Sequence, residues 1–298
     1  MNALFAENQV PVYVYTALRS EVVDSVEGSV RELQKLVDDK AVHINWVMST
    51  SNHDDQPLIQ LLRKRIFTSV RHHDGGPKDI KSVRIEDYFS ARIHGHKISS
   101  FLIFETWGRP RDLVRMLTLA APHTSKTGMF TAEAFDESFI EYSRACWEEK
   151  GDELNSKYSL TEIGTIKRLL SNFAPSFSRI DLDARISLLS NRDSRSNQFF
   201  LGRNVDVLLE DLFKVGVIGN ILKTRENRNR PAYLYTGHRN FTSSEIMCVH
   251  RSLWRELGLE MAAEKLIGGS HKRGSQVSSS LDSELSHAKR PQTGRRRR

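Results

Sequence analysis

The residues of this chain best suited to chemistry are arginines beside a helix start. In TWGRPRDLVRML, Thr106 to Leu117, Pro110 fits the first turn of a helix, where its missing N–H is not needed, and Arg109 and Arg111 flank it. A guanidinium is always charged and offers a planar fork of donors, so phosphate oxygens suit it at such a position. The plainer reading is a surface arginine ion-paired with Asp112 or Glu105. A second basic group, Lys223, Arg225, Arg228 and Arg230, surrounds the turn sequence ENRNR. Side chains there suit phosphate contact or entry into a minor groove.

Other reactive types carry weaker signals. His72, His73 and Asp74, and separately His94 and His96, sit in polar, glycine-containing turns without a cysteine or a helical i, i+4 histidine pair, so a loop origin outweighs a metal site. Glu148, Glu149, Asp152 and Glu153 read as an exposed helix end. Cys146 and Cys248 form no C-x-x-C pair, which suggests neither a disulfide framework nor a zinc site. None of the 17 glycines opens a G-x-x-x-x-G-K-[ST] loop; the nearest spacing, Gly269 to Gly274, ends in Ser275 without a lysine. Lacking those phosphate-cradling amides, the chain alone is expected to bind ATP poorly or not at all, and no catalytic residue is assigned.

The elements that must position these groups follow from periodicity. Val10 to Leu18 is a β-branched and aromatic run of the kind buried in a parallel sheet, the apolar stripe from Val22 to Val37 predicts a helix, and Val42, Ile44 and Trp46 alternate as in a half-buried strand. Strand, helix, strand is a βαβ fragment, which needs further strands to close a core. Apolar spacing from Leu58 to Val70, Ile98 to Phe104 and Pro110 to Ala120, with a helix capped by Thr131 that buries Phe135, Phe139, Tyr142 and Cys146, predicts a small helical bundle. From Ser159 to Leu259 the pattern predicts three helices: Thr161 to Phe173, Leu182 to Leu189, and a third whose core face runs from Val205 to Phe213 and stops at Gly216. A hairpin of ILKTR and PAYLYTG follows, then a closing helix with Ile246, Met247, Val249, Leu253, Trp254 and Leu257 inward.

Length and charge bound the rest. The 298 residues, 39% of them hydrophobic, suffice for about two domains of ordinary size. The formal charge of +7 is concentrated in His271 to Arg298, where eight basic residues face Asp282 and Glu284, leaving about one positive charge for the remainder. That tail, poor in large apolar residues, is expected to be disordered. The absence of a signal peptide and of an apolar run of about 18 to 20 residues predicts a cytoplasmic protein with no membrane partner.

The turn Gly108, Pro110, Arg111 and Leu113 resembles the Gly-x-Pro-Arg-x-Leu start of the lid helix in AAA+ and related P-loop ATPases. By that resemblance Arg111 is a sensor-2 arginine reaching the γ-phosphate, with Arg109 beside it, and the strand VPVYVYTAL is similar to the sensor-1 strand, with Thr16 or Arg19 at its end. LLEDLFKVGVIGN and VHRSLWRELGL look like the third helix, wing and closing helix of the C-terminal winged-helix domain in ATPases of origin-recognition and signal-transduction type, some of which serve in phage defence. The resemblance spans about residues 9 to 260 and implies a mainly helical α+β protein: a βαβ remnant of the ATPase core over 1–55, a helical lid over 56–154, a winged-helix domain over 155–265 and a basic tail over 266–298. Walker A and B lie outside the chain, so ATP and Mg are expected only with a missing N-terminal half or a homologous ATPase as partner. DNA is the other expected partner, through the wing and tail. The competing expectation is a stand-alone winged-helix DNA-binding or transcription-associated protein; the acidic third helix, with Asp206, Glu210 and Asp211, opposes it because DNA phosphates repel such a surface.

Overall fold

The computed structural model describes residues 52–72, 77–124, 128–223 and 229–259, together with Asp39, Val42, Ile44, Trp46 and Val47. The chain divides into two compact units, Met1–Asn45 and Trp46–Arg298, and all described residues except Asp39, Val42 and Ile44 fall in the second. The opening strand and helix with Thr16 and Arg19, the His73–Asp74 pair, Arg225, Arg228 and the basic tail lie outside the described residues. Val42 and Ile44, expected in a half-buried strand, are instead exposed and outside any strand. Among the described residues no strand pairs with them, and an unpaired β-pattern has nothing to hold it extended.

Nine helices and two small antiparallel sheets make up the described part, a mainly helical α+β protein. Helix α1 (Pro57–Val70) starts with proline in its first turn and buries Leu58, Ile59 and Leu62. A two-stranded hairpin follows, β1 (Arg92–Ile93) against β2 (His96–Lys97). Its loop residues His94 and Gly95 have φ of +48° and +77°, the sign that a two-residue hairpin turn demands. Helices α2 (Ile98–Phe104), α3 (Pro110–Ala120) and α4 (Ala132–Leu154) complete the bundle. Thr131 caps α4 by accepting from the Ala134 N–H, and Phe135, Phe139, Tyr142 and Cys146 lie in the core as their spacing predicts.

Beyond Ser159 the side chains again set the boundaries. Helix α5 (Leu160–Leu170) opens on a capping box in which the Ser159 side chain accepts from the Glu162 N–H and the Glu162 carboxylate accepts from the Ser159 N–H. Ser178 and Asp181 do the same for α6, which consequently runs Arg179–Arg192, longer than its apolar spacing indicates. A helix not anticipated, α7 (Ser194–Phe200), is started by Asp193, whose carboxylate accepts from the Arg195 and Ser196 N–H groups. Helix α8 (Val205–Lys214) ends at Val215, and Gly216 at φ +78° turns the chain into the sheet.

The second sheet has the strand order β3-β6-β4-β5, from β3 (Ser176–Phe177), β4 (Ile218–Lys223), β5 (Asn229–Ala232) and β6 (Met247–Val249). The expected hairpin is β4 with β5. Its second arm is shorter than PAYLYTG because residues 234 to 236 coil into a one-turn 3-10 helix. The expected closing helix is largely replaced. Met247, Cys248 and Val249 form the buried strand β6 between β3 and β4, and helix resumes only with a 3-10 turn at Arg251–Leu253 that leads into α9 (Trp254–Leu257). Three consecutive buried residues that hydrogen-bond on both edges satisfy a strand, whereas a surface helix would expose one of them.

Candidate functional site

The arginine turn is built by two left-handed residues. After α2, Trp107 and Gly108 have φ of +44° and +62°, and the Arg109 N–H donates to the Thr106 carbonyl at 2.7 Å, closing a four-residue turn of mirror-image type. A side chain at Gly108 would strike Val47, so glycine is required there for space as well as for φ. Pro110 then starts α3, placing Arg109 at the helix cap, Arg111 in the first turn and Arg115 one turn on.

All three guanidinium groups converge on α4. Arg111 Nη2 donates to Glu149 Oε1, and Arg115 Nη1 donates to Glu149 Oε2 at 2.7 Å. Arg109 Nη1 lies 3.7 Å from Glu149 Oε1 and donates to Glu153 Oε1 at 2.6 Å. The plain ion-pair reading of Arg111 therefore holds in kind but with a different partner. Asp112 is buried and 3.7 Å from Arg115, and Glu105 takes Arg251 at 3.1 Å. The acidic run is corrected too: Glu148 and Asp152 are exposed, but the Glu149 and Glu153 side chains are 10% and 3% accessible. They sit at i, i+4 on the α4 face that also buries Lys150, so they point at α3 rather than at water.

Lys150 extends the network inward. Its ammonium lies 3.2 Å from Glu153 and 4.7 Å from the centre of the Trp107 ring. Burial, then the charge of Arg109, pulls its pKa down to about 8. For Glu153 burial works upward, but Lys150 and Arg109 overcome it and the pKa is lowered. Burial dominates for Asp112, whose pKa is raised despite four surrounding cations, and it pushes the Cys146 thiol up to about 12, which leaves that thiol unreactive.

The same turn grips the second sheet. Trp107 Nε1 donates to the Gly216 carbonyl at 2.8 Å, and its ring stacks on His250 at 3.8 Å. Ser252 donates to the Glu105 carbonyl at 2.7 Å, as does Tyr142 at 2.5 Å. The Nδ1 of His250 accepts the Ser252 N–H at 3.4 Å, which puts the ring proton of the neutral imidazole on Nε2, facing the Tyr235 hydroxyl at 3.1 Å. Burial, with Lys150 and Arg109 adding to it, holds the His250 pKa well below the usual value.

Of the hairpin residues, Lys223 and Arg230 are exposed on β4 and β5, and neither forms an ion pair with a described residue. Helix α8 presents Asp206, Val207, Glu210 and Lys214 outward, but Asp211 is buried, accepting from Lys157 at 2.6 Å and Tyr158 at 2.8 Å. Among the described residues no cluster of three or more histidine, cysteine or carboxylate side chains is arranged to hold a metal, and His94 instead lies 3.0 Å from Asp136. No helix among them is long and apolar enough to cross a membrane.

Sequence spacing singled out Arg109 and Arg111 but missed Arg115, Glu149, Lys150, Glu153, Trp107 and His250. A signal was present in the i, i+4 pairs Arg111/Arg115 and Glu149/Glu153, two helical rows of opposite charge able to face each other. Searches against curated proteins and against solved structures found no match. Residues 56–149, the span from the start of α1 to Glu149 that includes all three arginines, match the family model of the FunZ-associated C-terminal helical domain.

Proposed function

We propose that this chain is the lid and C-terminal portion of a nucleotide-dependent regulatory P-loop ATPase, with Arg111 as its nucleotide-sensing arginine. The observation that carries the reading is the turn Gly108–Leu113: it sets Arg111 in the first turn of α3, half exposed, with Arg109 and Arg115 beside it. Positive groups at a helix N-terminus suit a phosphoryl oxygen. The match of this segment to a C-terminal helical domain supports an accessory position behind another domain. In this reading the phosphate loop and the Mg2+ ligands belong to the P-loop half, and this chain contributes the arginines.

The linkage through Trp107 supports a route for the signal. A ligand that pulls Arg111 also pulls the Thr106–Arg109 turn, and that turn is bonded to Gly216 and stacked on His250. The order α5, β3, α6, α7, α8, β4, β5, β6 supports a winged-helix reading of the C-terminal part, with α7 and the edge strand β5 as additions. The test is ATP turnover by the assembled ATPase: Arg111→Ala is expected to lower it about tenfold or more, since it removes a charge-assisted contact. Undiminished turnover removes the assignment.

A second reading, duplex DNA binding through the hairpin, draws on Lys223 and Arg230, both exposed on adjacent strands. It requires salt-dependent binding that weakens in Arg230→Ala, and loses its ground if no duplex binds at low salt.

A further inference from the structure

We propose that Arg109, Arg111 and Arg115 form a seat for one phosphoryl group and that Glu149 is its resident competitor, a carboxylate that keeps the seat closed until a phosphate-bearing ligand displaces it. This inference rests on the nucleotide reading of Arg111 and names how that site is regulated.

The argument starts from stoichiometry. A carboxylate has two oxygens, and here each is taken by a different arginine, Oε1 by Arg111 and Oε2 by Arg115. Arg109, 3.7 Å from Oε1, is close but without a short bond to Glu149, and turns to Glu153. Three guanidinium groups from one cap and two successive turns of α3 thus surround a group that bonds two of them. A phosphoryl group has a third oxygen and up to one more negative charge, and it meets the same guanidinium fork.

Charge balance agrees. Among the described residues the groups facing the seat are Arg109, Arg111, Arg115 and Lys150, against Glu149, Glu153 and Asp112. With Glu149 displaced, the described cations outnumber the described carboxylates, the sign of balance that a phosphoryl anion needs. Access lies on the arginine side: the Glu149 side chain is nearly covered, whereas that of Arg111 is 55% accessible. A ligand reaches the guanidinium groups without opening the core behind Glu149.

The decisive experiment is calorimetric titration of the full chain with inorganic pyrophosphate and, separately, with ATP. Glu149→Gln keeps the shape and removes the competing charge, and is expected to bind pyrophosphate at least about tenfold more tightly than the unaltered chain. Adding Arg111→Ala is expected to abolish that gain. Should Glu149→Gln prove unfolded by circular dichroism, Glu149→Asp, which withdraws the carboxylate by one methylene, is expected to change affinity in the same direction. A folded Glu149 variant with unchanged pyrophosphate affinity overturns the proposal, and so does a gain that persists without Arg111. A gain for pyrophosphate that needs Arg111, together with ATP turnover of the assembled ATPase that is unchanged by Arg111→Ala, upholds the seat and removes the nucleotide reading. No gain, together with ATP turnover that still depends on Arg111, removes the competitor and upholds the nucleotide reading.

Discussion

The indole of Trp107 lies flat on the imidazole of His250, ring centroids 3.8 Å apart and planes 15° from parallel. On its other side stands the Lys150 ammonium, and its N–H reaches across to the Gly216 carbonyl. One side chain thus joins the arginine turn, helix α4 and the second sheet. Trp107→Ala removes the stack, the hydrogen bond and the cation contact together, and is expected to cost about 3–5 kcal/mol in chemical denaturation. Trp107→Phe, which keeps an aromatic face but leaves the Gly216 carbonyl without its donor, is expected to cost about 1–3 kcal/mol.

Gly216 tests the same contact from the opposite side. Its φ of +78° is unfavourable for any L side chain, and a Cβ there would lie 2.9 Å from Trp107 Cδ1 and Nε1. Gly216→Ala is expected to lower stability by at least about 1–2 kcal/mol and to change the near-ultraviolet circular dichroism of the tryptophan, as the ring is forced off His250.

Lys150 gives stability a slope in alkali. Its pKa is about 8 in the folded chain, below the ordinary lysine value of 10.5, so between these limits the unfolded chain binds the extra proton. Stability is therefore expected to rise with pH across that window, by up to about 1.4 kcal/mol per unit from this group. In Lys150→Met the rise is expected to flatten, while Glu153 keeps Arg109 as its partner. Denaturant midpoints measured from pH 7.5 to 10 decide it; an equally steep rise in the variant is the adverse result.

His250 acts at the other end of the scale. Its folded pKa lies well below 6.5, so below pH 6.5 the unfolded chain takes up a proton that the folded chain refuses. The contribution of neutral His250 is complete above the unfolded pKa and is lost as pH falls through and below about 6.5. Unfolding midpoints of the unaltered chain are expected to drop between pH 7 and 5.5 more steeply than those of His250→Gln.

Local rules carried most of the helical framework. Pro57, Pro110 and Thr131 start their helices where the spacing predicts, and Phe135, Phe139, Tyr142 and Cys146 lie in the core as expected, although α4 also buries Trp147, Lys150 and Leu154. The failures have a common cause in tertiary context. Met247 to Val249 fits an amphipathic helix pattern, yet free hydrogen-bonding edges on β3 and β4 make a strand the better solution. The Glu149/Glu153 row reads as a solvated helix end because a carboxylate run alone does not reveal that three arginines cover it. His250 and Trp107, 143 positions apart, meet only through the fold. Arg109 and Arg111 were legible because a proline fixes where their helix begins.

The edge strand β5 carries Pro231, opposite Ile221, and the charged Arg230 beside it. Proline offers no amide to an incoming chain, and an arginine on the rim resists burial against an apolar neighbour. At the far side β3 is only two residues long, too brief to template another ribbon. Among the described residues both margins of this sheet are thereby blunted against pairing edge to edge with another chain.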